Sequence, residues 1–290
     1  MLGLYRGFNA SVNDALAESC RNAPLPLIEG KSALRQKQIP NPQLVAHRGY
    51  PEHYPENTII GIEAAVRAGA RFVEVDVQLS ADEVPVLLHD RTLDRVCGVR
   101  GTVPQMSYEQ LRVLHPKEYE RFGYRFAQVH IATLAELVEY LRGHTGVTAF
   151  VELKRSSIKH FGPTVMLNRV LREVEPILNR IVLISFSFEV LLAARKQDVP
   201  SVGAILETWS ARRDSAVREL RPDYVICDVA ALPVWGTLRT DNARLMVYEV
   251  TDAALAMKLT RRGVQLVETF AVGEMLDDLE LLRGAESTRR

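Results

Sequence analysis

The stretch RFVEVDVQLSADEVPVLLHD, residues 71–90, decides the fold. It holds two β-rich runs, 72–79 and 84–88, separated only by the four residues SADE. A parallel connection needs a dozen residues or more, so the second run must return antiparallel as a hairpin. Further β-rich runs lie at 44–47, 148–153, 181–186, 201–206, 223–227, 244–250 and 264–269, with helical patterns between most of them. Setting the returning hairpin run aside leaves eight strands in strand–helix alternation, the pattern of a parallel sheet with buried faces. Eight such strands in about 240 residues match a TIM (β/α)8 barrel of the α/β class, with a small insertion after the hairpin near strand 2. An open doubly wound sheet would carry a glycine-rich phosphate loop after an early strand, and none is present.

The barrel is expected over residues 44–283, with an N-terminal extension at 1–43 and a rim insertion at about 91–131. Within the insertion, Ser107 caps one short helix. Other boundaries follow from cap residues. Asn57 is expected to cap a helix over 58–68 that ends at Gly69. The box TLAE, Thr133 to Glu136, opens the next helix. Ser187, Ser210 and Thr251 stand where N-caps are needed, and Gly263 closes the helix after Thr251.

Composition narrows the function classes. The chain has 36 basic and 36 acidic residues, so it lacks the charge excess that draws nucleic acid or an acidic membrane surface. Cys20, Cys97 and Cys227 are scattered without a CxxC pair, which argues against a disulfide framework or a thiolate zinc site. No apolar run reaches the length of a membrane span and no secretory leader is evident, so the cytoplasm is the expected compartment. An oligomer is compatible with all of this.

Active sites of such barrels sit at the C-terminal ends of the strands. His47 and Arg48 end the first strand, followed by Gly49. Glu74 and Asp76 are two apart, so both project into the barrel while Val73, Val75 and Val77 face the helices. Two carboxylates in an apolar barrel repel each other, and without a cation one of them stays protonated. A divalent ion resolves this, and all-oxygen ligands favour magnesium, calcium or manganese over zinc. In TAFVELKR, residues 148–155, Glu152 and Lys154 share one face, which brings Glu152 to the same ion and Lys154 to an anion bound on it. The hairpin returns His89 to about the level of Asp76. Two histidines flanking a bound anion form a general acid–base pair, and Arg48 offers a guanidinium fork to phosphate oxygens. Each motif alone is weak. Together they place more charge on one rim than a structural role sustains, since burying an unpaired ion costs several kcal/mol.

HRGYPEHYPENT, EVDVQLSADEVPVLLHDRTLDR and VELK, taken in order, resemble the motif set HRG, PENT, ExD, HD and ExK of the glycerophosphodiester phosphodiesterase family. The resemblance covers roughly residues 44–270. It implies a TIM barrel and metal-dependent hydrolysis of a small-molecule glycerophosphodiester to glycerol 3-phosphate and an alcohol. It further implies His47 and His89 as the catalytic pair, Glu74, Asp76 and Glu152 as metal ligands, and Arg48 and Lys154 as phosphate contacts. A lysophospholipase D-like or phosphoryl-transferring reaction on the same site is the alternative, and a non-catalytic phosphate- or metal-binding barrel is a third.

Some positions depart from the family pattern. The hairpin turn usually contains Asp-Gly, whereas Glu83 follows Asp82 here. Tyr248 takes the aromatic position of a Trp-Thr-Val strand that lines the substrate side, and Glu249 follows it. The last strand commonly ends Thr-Asp, and here Glu268 precedes Thr269. Glu249 and Glu268 either alter the substrate-binding side of the pocket or pair with rim arginines, and the arginine pairing is the expectation. Ser185 is expected to be structural, and Phe122, Tyr124 and Phe126 to pack the insertion onto the barrel.

Overall fold

The computed structural model describes residues 42–288. The expected N-terminal extension therefore lies almost wholly outside the described residues. Nine strands form one sheet: β1 Gln43–Ala46, β2 Phe72–Leu79, β3 Pro85–Leu87, β4 Thr148–Leu153, β5 Ile181–Ser185, β6 Val202–Leu206, β7 Tyr224–Asp228, β8 Arg244–Tyr248 and β9 Leu266–Thr269. Eight run parallel in the order β1-β9-β8-β7-β6-β5-β4-β2, and a β1–β2 pairing closes the ring into a TIM barrel. β3 is the hairpin return, antiparallel to β2 with Val77 opposite Leu87. It finds room because β1 is short and pairs only with Phe72 and Val73, leaving the upper edge of β2 open.

Period-two alternation sorts the side chains. Val45, Phe150, Val182, Ile184, Ile205, Ile226, Met246 and Leu266 point inward and fill the barrel with an apolar plug. Val73, Val75, Val77, Val151 and Leu153 point outward and pack in the main core with helix residues such as Ile62, Leu137 and Val170. One alternation further along, the inward positions turn polar at Glu74, Asp76, Glu152 and Glu268. The plug closes the barrel below, and a charged layer sits on top of it.

The caps show where local rules compete. Ser107 with Gln110 and Thr133 with Glu136 both form complete capping boxes. The helix Ile59–Arg67, however, is capped by Thr58, whose hydroxyl accepts from the Gly61 amide. Asn57 adopts φ 57° instead and serves another purpose. Asp252, not Thr251, caps Ala253–Arg262, and Gly263 closes that helix as expected. Ser187 stands at an N-cap without a side-chain bond, and Ser210 lies inside the short 3-10 turn Trp209–Arg213.

Beyond the hairpin, Val86, Leu88, Leu93, Val96, Cys97, Val103, Leu111 and Ile131 gather into a small core of their own. Phe126 anchors the outer part, 5.6 Å from the Tyr54 ring and 5.2 Å from Phe122, whereas Tyr124 is exposed. Cys97 and Cys227 are buried free thiols. Among the described residues, no helix is long and apolar enough to cross a membrane.

Gly49 makes the sharp exit from β1. Its φ is +90°, and an added Cβ would lie 2.9 Å from the backbone of Gly61 and Ile62. Gly49→Ala is therefore expected to destabilise the protein by about 2 kcal/mol or more, read as a lower urea midpoint. An unchanged midpoint would show that this backbone turn is not under steric demand.

Candidate active site

Glu74 and Asp76 rise from β2, and Glu152 from β4 stands at the register position opposite Asp76. One carboxylate oxygen from each lies within 4.8 Å of the others, and all three residues are buried. Lys154 Nζ is 3.0 Å from both Asp76 Oδ1 and Glu152 Oε1. The Arg48 guanidinium lies 3.1 Å from Asp76 Oδ2, and its backbone amide donates to Glu74 Oε2 at 3.1 Å. Burial alone would raise Asp76, but Lys154 and Arg48 outweigh it and hold the carboxyl well below its ordinary value. Glu74 goes the other way. Burial, then the charges of Asp76 and Glu268, push it well above the carboxylate range. Burial raises Glu152 as well.

The centre thus gathers more buried carboxylate than its two cations neutralise. A divalent ion fits this arrangement: the donors are all oxygen, they converge, and the residual negative charge is what such an ion offsets.

Two amide side chains aim this centre. The Asn57 Nδ2–H donates to Asp76 Oδ2 at 2.9 Å, and the Asp76 amide donates to Asn57 Oδ1 at 3.0 Å. Asn57 holds a left-handed φ that asparagine tolerates better than most residues. Asn57→Ala is expected to cost about 10–100-fold in metal affinity or turnover, the usual effect of losing a residue that orients a ligand. Metal titration by calorimetry checks it, and an unaltered affinity and rate would remove Asn57 from the site. Gln78 continues the inward series Glu74, Asp76. Its amide donates to the Leu88 and Asp90 carbonyls at 2.9 and 2.6 Å, and the Ser156 hydroxyl donates to its Oε1 at 2.8 Å. Gln78 therefore pins the hairpin strand that carries His89.

His89 lies one residue past the level of Asp76, because the Leu88 amide donates to the Asp76 carbonyl. Its Nδ1 is 2.7 Å from Asp90 Oδ1. Asp90 binds Arg95 at 2.7 Å, Arg95 binds Glu56 at 2.7 Å, and Glu56 reaches back to Arg48 at 3.3 Å. Buried Glu56 thus ties the PENT loop to both sides of the rim.

His47 is more enclosed. Its Nδ1 is 2.6 Å from Glu249 Oε2, its Nε2 is 3.8 Å from Glu74 Oε2, and its ring stacks on Phe270 at 4.6 Å. Burial, then the Arg48 charge, push its pKa well below the ordinary 6.5, so the ring is neutral near pH 7. Burial and then Glu268 push Glu249 well above the carboxylate range, only partly offset by the Phe270 amide, which donates to Oε1 at 2.7 Å.

This corrects the expectation for the two departing glutamates. Among the described residues neither Glu249 nor Glu268 forms a salt bridge with an arginine: Glu249 engages His47, and Glu268 is buried beside His47 and Glu74. Tyr248 turns inward with its ring 6.4 Å from that of His47. The Ser185 hydroxyl donates to the Leu153 carbonyl at 2.8 Å, a structural bond between neighbouring strands.

A model of the glycerophosphoryl diester phosphodiesterase family matches residues 47–269, from His47 to Thr269. The chain belongs to that family. Human glycerophosphodiester phosphodiesterase 1 is 34% identical over 237 residues, covering 77% of this chain and 70% of the relative. The bovine protein of the same name is 35% identical over 167 residues, but that match spans only 49% of its length. Among solved structures, an Oleispira antarctica phosphodiesterase in complex with the product sn-glycerol-3-phosphate superposes with a TM-score of 0.73 at 20% identity. That superposition covers 83% of this chain and 97% of the other. A glycerophosphodiester phosphodiesterase from Agrobacterium tumefaciens gives 0.64 at 22% identity over 81% of this chain and 98% of the other. In the structure the HRG, ExD and ExK residues meet at one address, the C-terminal mouth of the barrel, with the HD hairpin beside them. Glu249 and Glu268, which depart from the pattern expected of that family, stand at the same address.

Proposed function

We propose that this chain is a metal-dependent phosphodiesterase that hydrolyses glycerophosphodiesters to glycerol 3-phosphate and an alcohol. The observation that carries it is the convergent Glu74–Asp76–Glu152 set, flanked by two histidines that each have a carboxylate against Nδ1. Glu74, Asp76 and Glu152 would hold magnesium, calcium or manganese, which when bound supplies Lewis-acid polarisation of a phosphoryl oxygen. Arg48 and Lys154, oriented by Asp76, Glu56 and Glu152, bind the phosphate and stabilise charge on its equatorial oxygens. Neutral His47 accepts the nucleophile's proton at Nε2. His89, at the open edge with its Nδ1 against Asp90, donates a proton to the leaving alkoxide. Tyr248 lines the side where the glycerol or alcohol moiety rests.

Phosphorus NMR of glycerophosphocholine incubated with enzyme and magnesium tests the reading. Glycerol 3-phosphate as the phosphorylated product supports it, and choline phosphate refutes the assigned direction of cleavage. A cyclic glycerophosphate in rapid-quench samples would identify the neighbouring glycerol hydroxyl as the nucleophile, and its absence would count against that route. A lysophospholipid in the same experiment tests the lipid-directed alternative.

A further inference from the structure

We propose that His47, Glu74 and Glu268 form a second divalent-cation site that shares Glu74 with the Glu74–Asp76–Glu152 centre, and that a cation seated there withdraws His47 from proton transfer. The second half rests on the phosphodiesterase reading above; the first stands on geometry.

One donor atom from each of His47, Glu74 and Glu268 lies within 4.8 Å of the others. Glu268 points inward because Leu266, two residues earlier on β9, belongs to the apolar plug, and because it pairs across β1 with inward-facing Val45. The residue is 3% exposed, and its Oε1 has no hydrogen-bond partner. A carboxylate oxygen in such a place is costly unless a cation or a proton meets it.

The imidazole is prepared in the way that metal-bound histidines are. Metal-binding imidazoles generally give their second ring nitrogen to a carboxylate or carbonyl, which fixes ring orientation and tautomer. Here Glu249 takes His47 Nδ1 at 2.6 Å and is itself held by the Phe270 amide at 2.7 Å. The other ring nitrogen, Nε2, lies on the Glu74 side, 3.8 Å from its Oε2. Phe270 stacks on the ring face, with the ring centroids 4.6 Å apart.

Charge supports the same conclusion. Glu74, Asp76, Glu152, Glu249 and Glu268 crowd one barrel mouth against Arg48 and Lys154. An ion held by Glu74, Asp76 and Glu152 leaves the buried Glu268 Oε1 still without a partner.

The two sites differ in chemistry. The first offers only oxygen and suits magnesium, calcium or manganese; the second adds an imidazole nitrogen, which suits zinc or manganese. Zinc at the second site occupies the lone pair that accepts the nucleophile's proton. A magnesium-loaded enzyme is then inhibited by added zinc.

The full chain is dialysed against zinc, and the bound metal is counted. Two equivalents per chain are expected for the wild type and one for Glu268→Gln. In manganese, the wild type is expected to show the electron paramagnetic resonance signal of an exchange-coupled pair, and Glu268→Gln that of isolated ions. Zinc titrated into the magnesium-activated enzyme is expected to inhibit the wild type at least tenfold more strongly than Glu268→Gln, each scaled to its own zinc-free rate. A single equivalent in the wild type with only the isolated manganese signal overturns the site, whether or not the variant folds. Turnover with magnesium alongside that single equivalent leaves the phosphodiesterase reading standing. Two equivalents without any turnover in magnesium uphold the cation site and refute the inhibitory role.

Discussion

His89→Ala is expected to lower kcat by about 10²–10⁴-fold while the protein stays folded, since a positioned general acid contributes roughly that much. The ring is well placed for such a test. It is partly exposed at the barrel mouth, its side chain pairs with Asp90, and it takes no part in the apolar plug or the insertion core. Removing it leaves the Asp90–Arg95–Glu56 chain in place to hold the rim. The Leu88, His89 and Asp90 carbonyls still accept from Gln78, so the hairpin keeps its register. The loss should therefore fall on kcat rather than on KM or thermal midpoint. A folded variant with near-normal kcat would remove His89 from the chemistry.

Glu152→Gln should weaken the activating ion by about 100-fold or more, because replacing a ligand costs at least as much as disturbing the residues that orient it. Two effects combine. The amide oxygen is a poorer donor than a carboxylate, and Lys154 loses one of its two anionic partners and remains with Asp76. The same change should erase metal-induced stabilisation. An ion present at 100 times its dissociation constant stabilises the folded state by about 2.7 kcal/mol. A rise in thermal midpoint with magnesium or calcium is thus expected for the wild type and not for Glu152→Gln. An equal rise in both would place the ion elsewhere.

Much of this arrangement follows from short-range rules. The four-residue gap at 80–83 permits only a hairpin, and with that strand removed the parallel count closes on eight. Two-residue spacing puts Glu74 beside Asp76, and parallel pairing brings Glu152 opposite. Gln78 was open to the same inference, as the next inward position on β2.

Other residues were not legible for identifiable reasons. Asn57 suits both an N-cap and a left-handed turn. Thr58, extended at φ −115°, took the cap, which left Asn57 to clamp Asp76. Glu249 follows the end of β8, where strand alternation lapses, so no spacing rule predicts its contact with His47. Glu268 reads as inward from Leu266. Its neighbours are set by the closing of β9 against β1, a pairing of segments about 220 residues apart that no local pattern encodes.

The central claim is that the acidic mouth of this barrel binds a divalent ion and splits glycerophosphodiesters. It is tested most directly by a coupled assay for glycerol 3-phosphate over a panel of glycerophosphodiesters, with chelator and then metal added back. The account predicts glycerol 3-phosphate equimolar with the released alcohol, lost on chelation and restored by magnesium, calcium or manganese. Release that persists unchanged in chelator, or no release from any member of the panel with metal present, would contradict it.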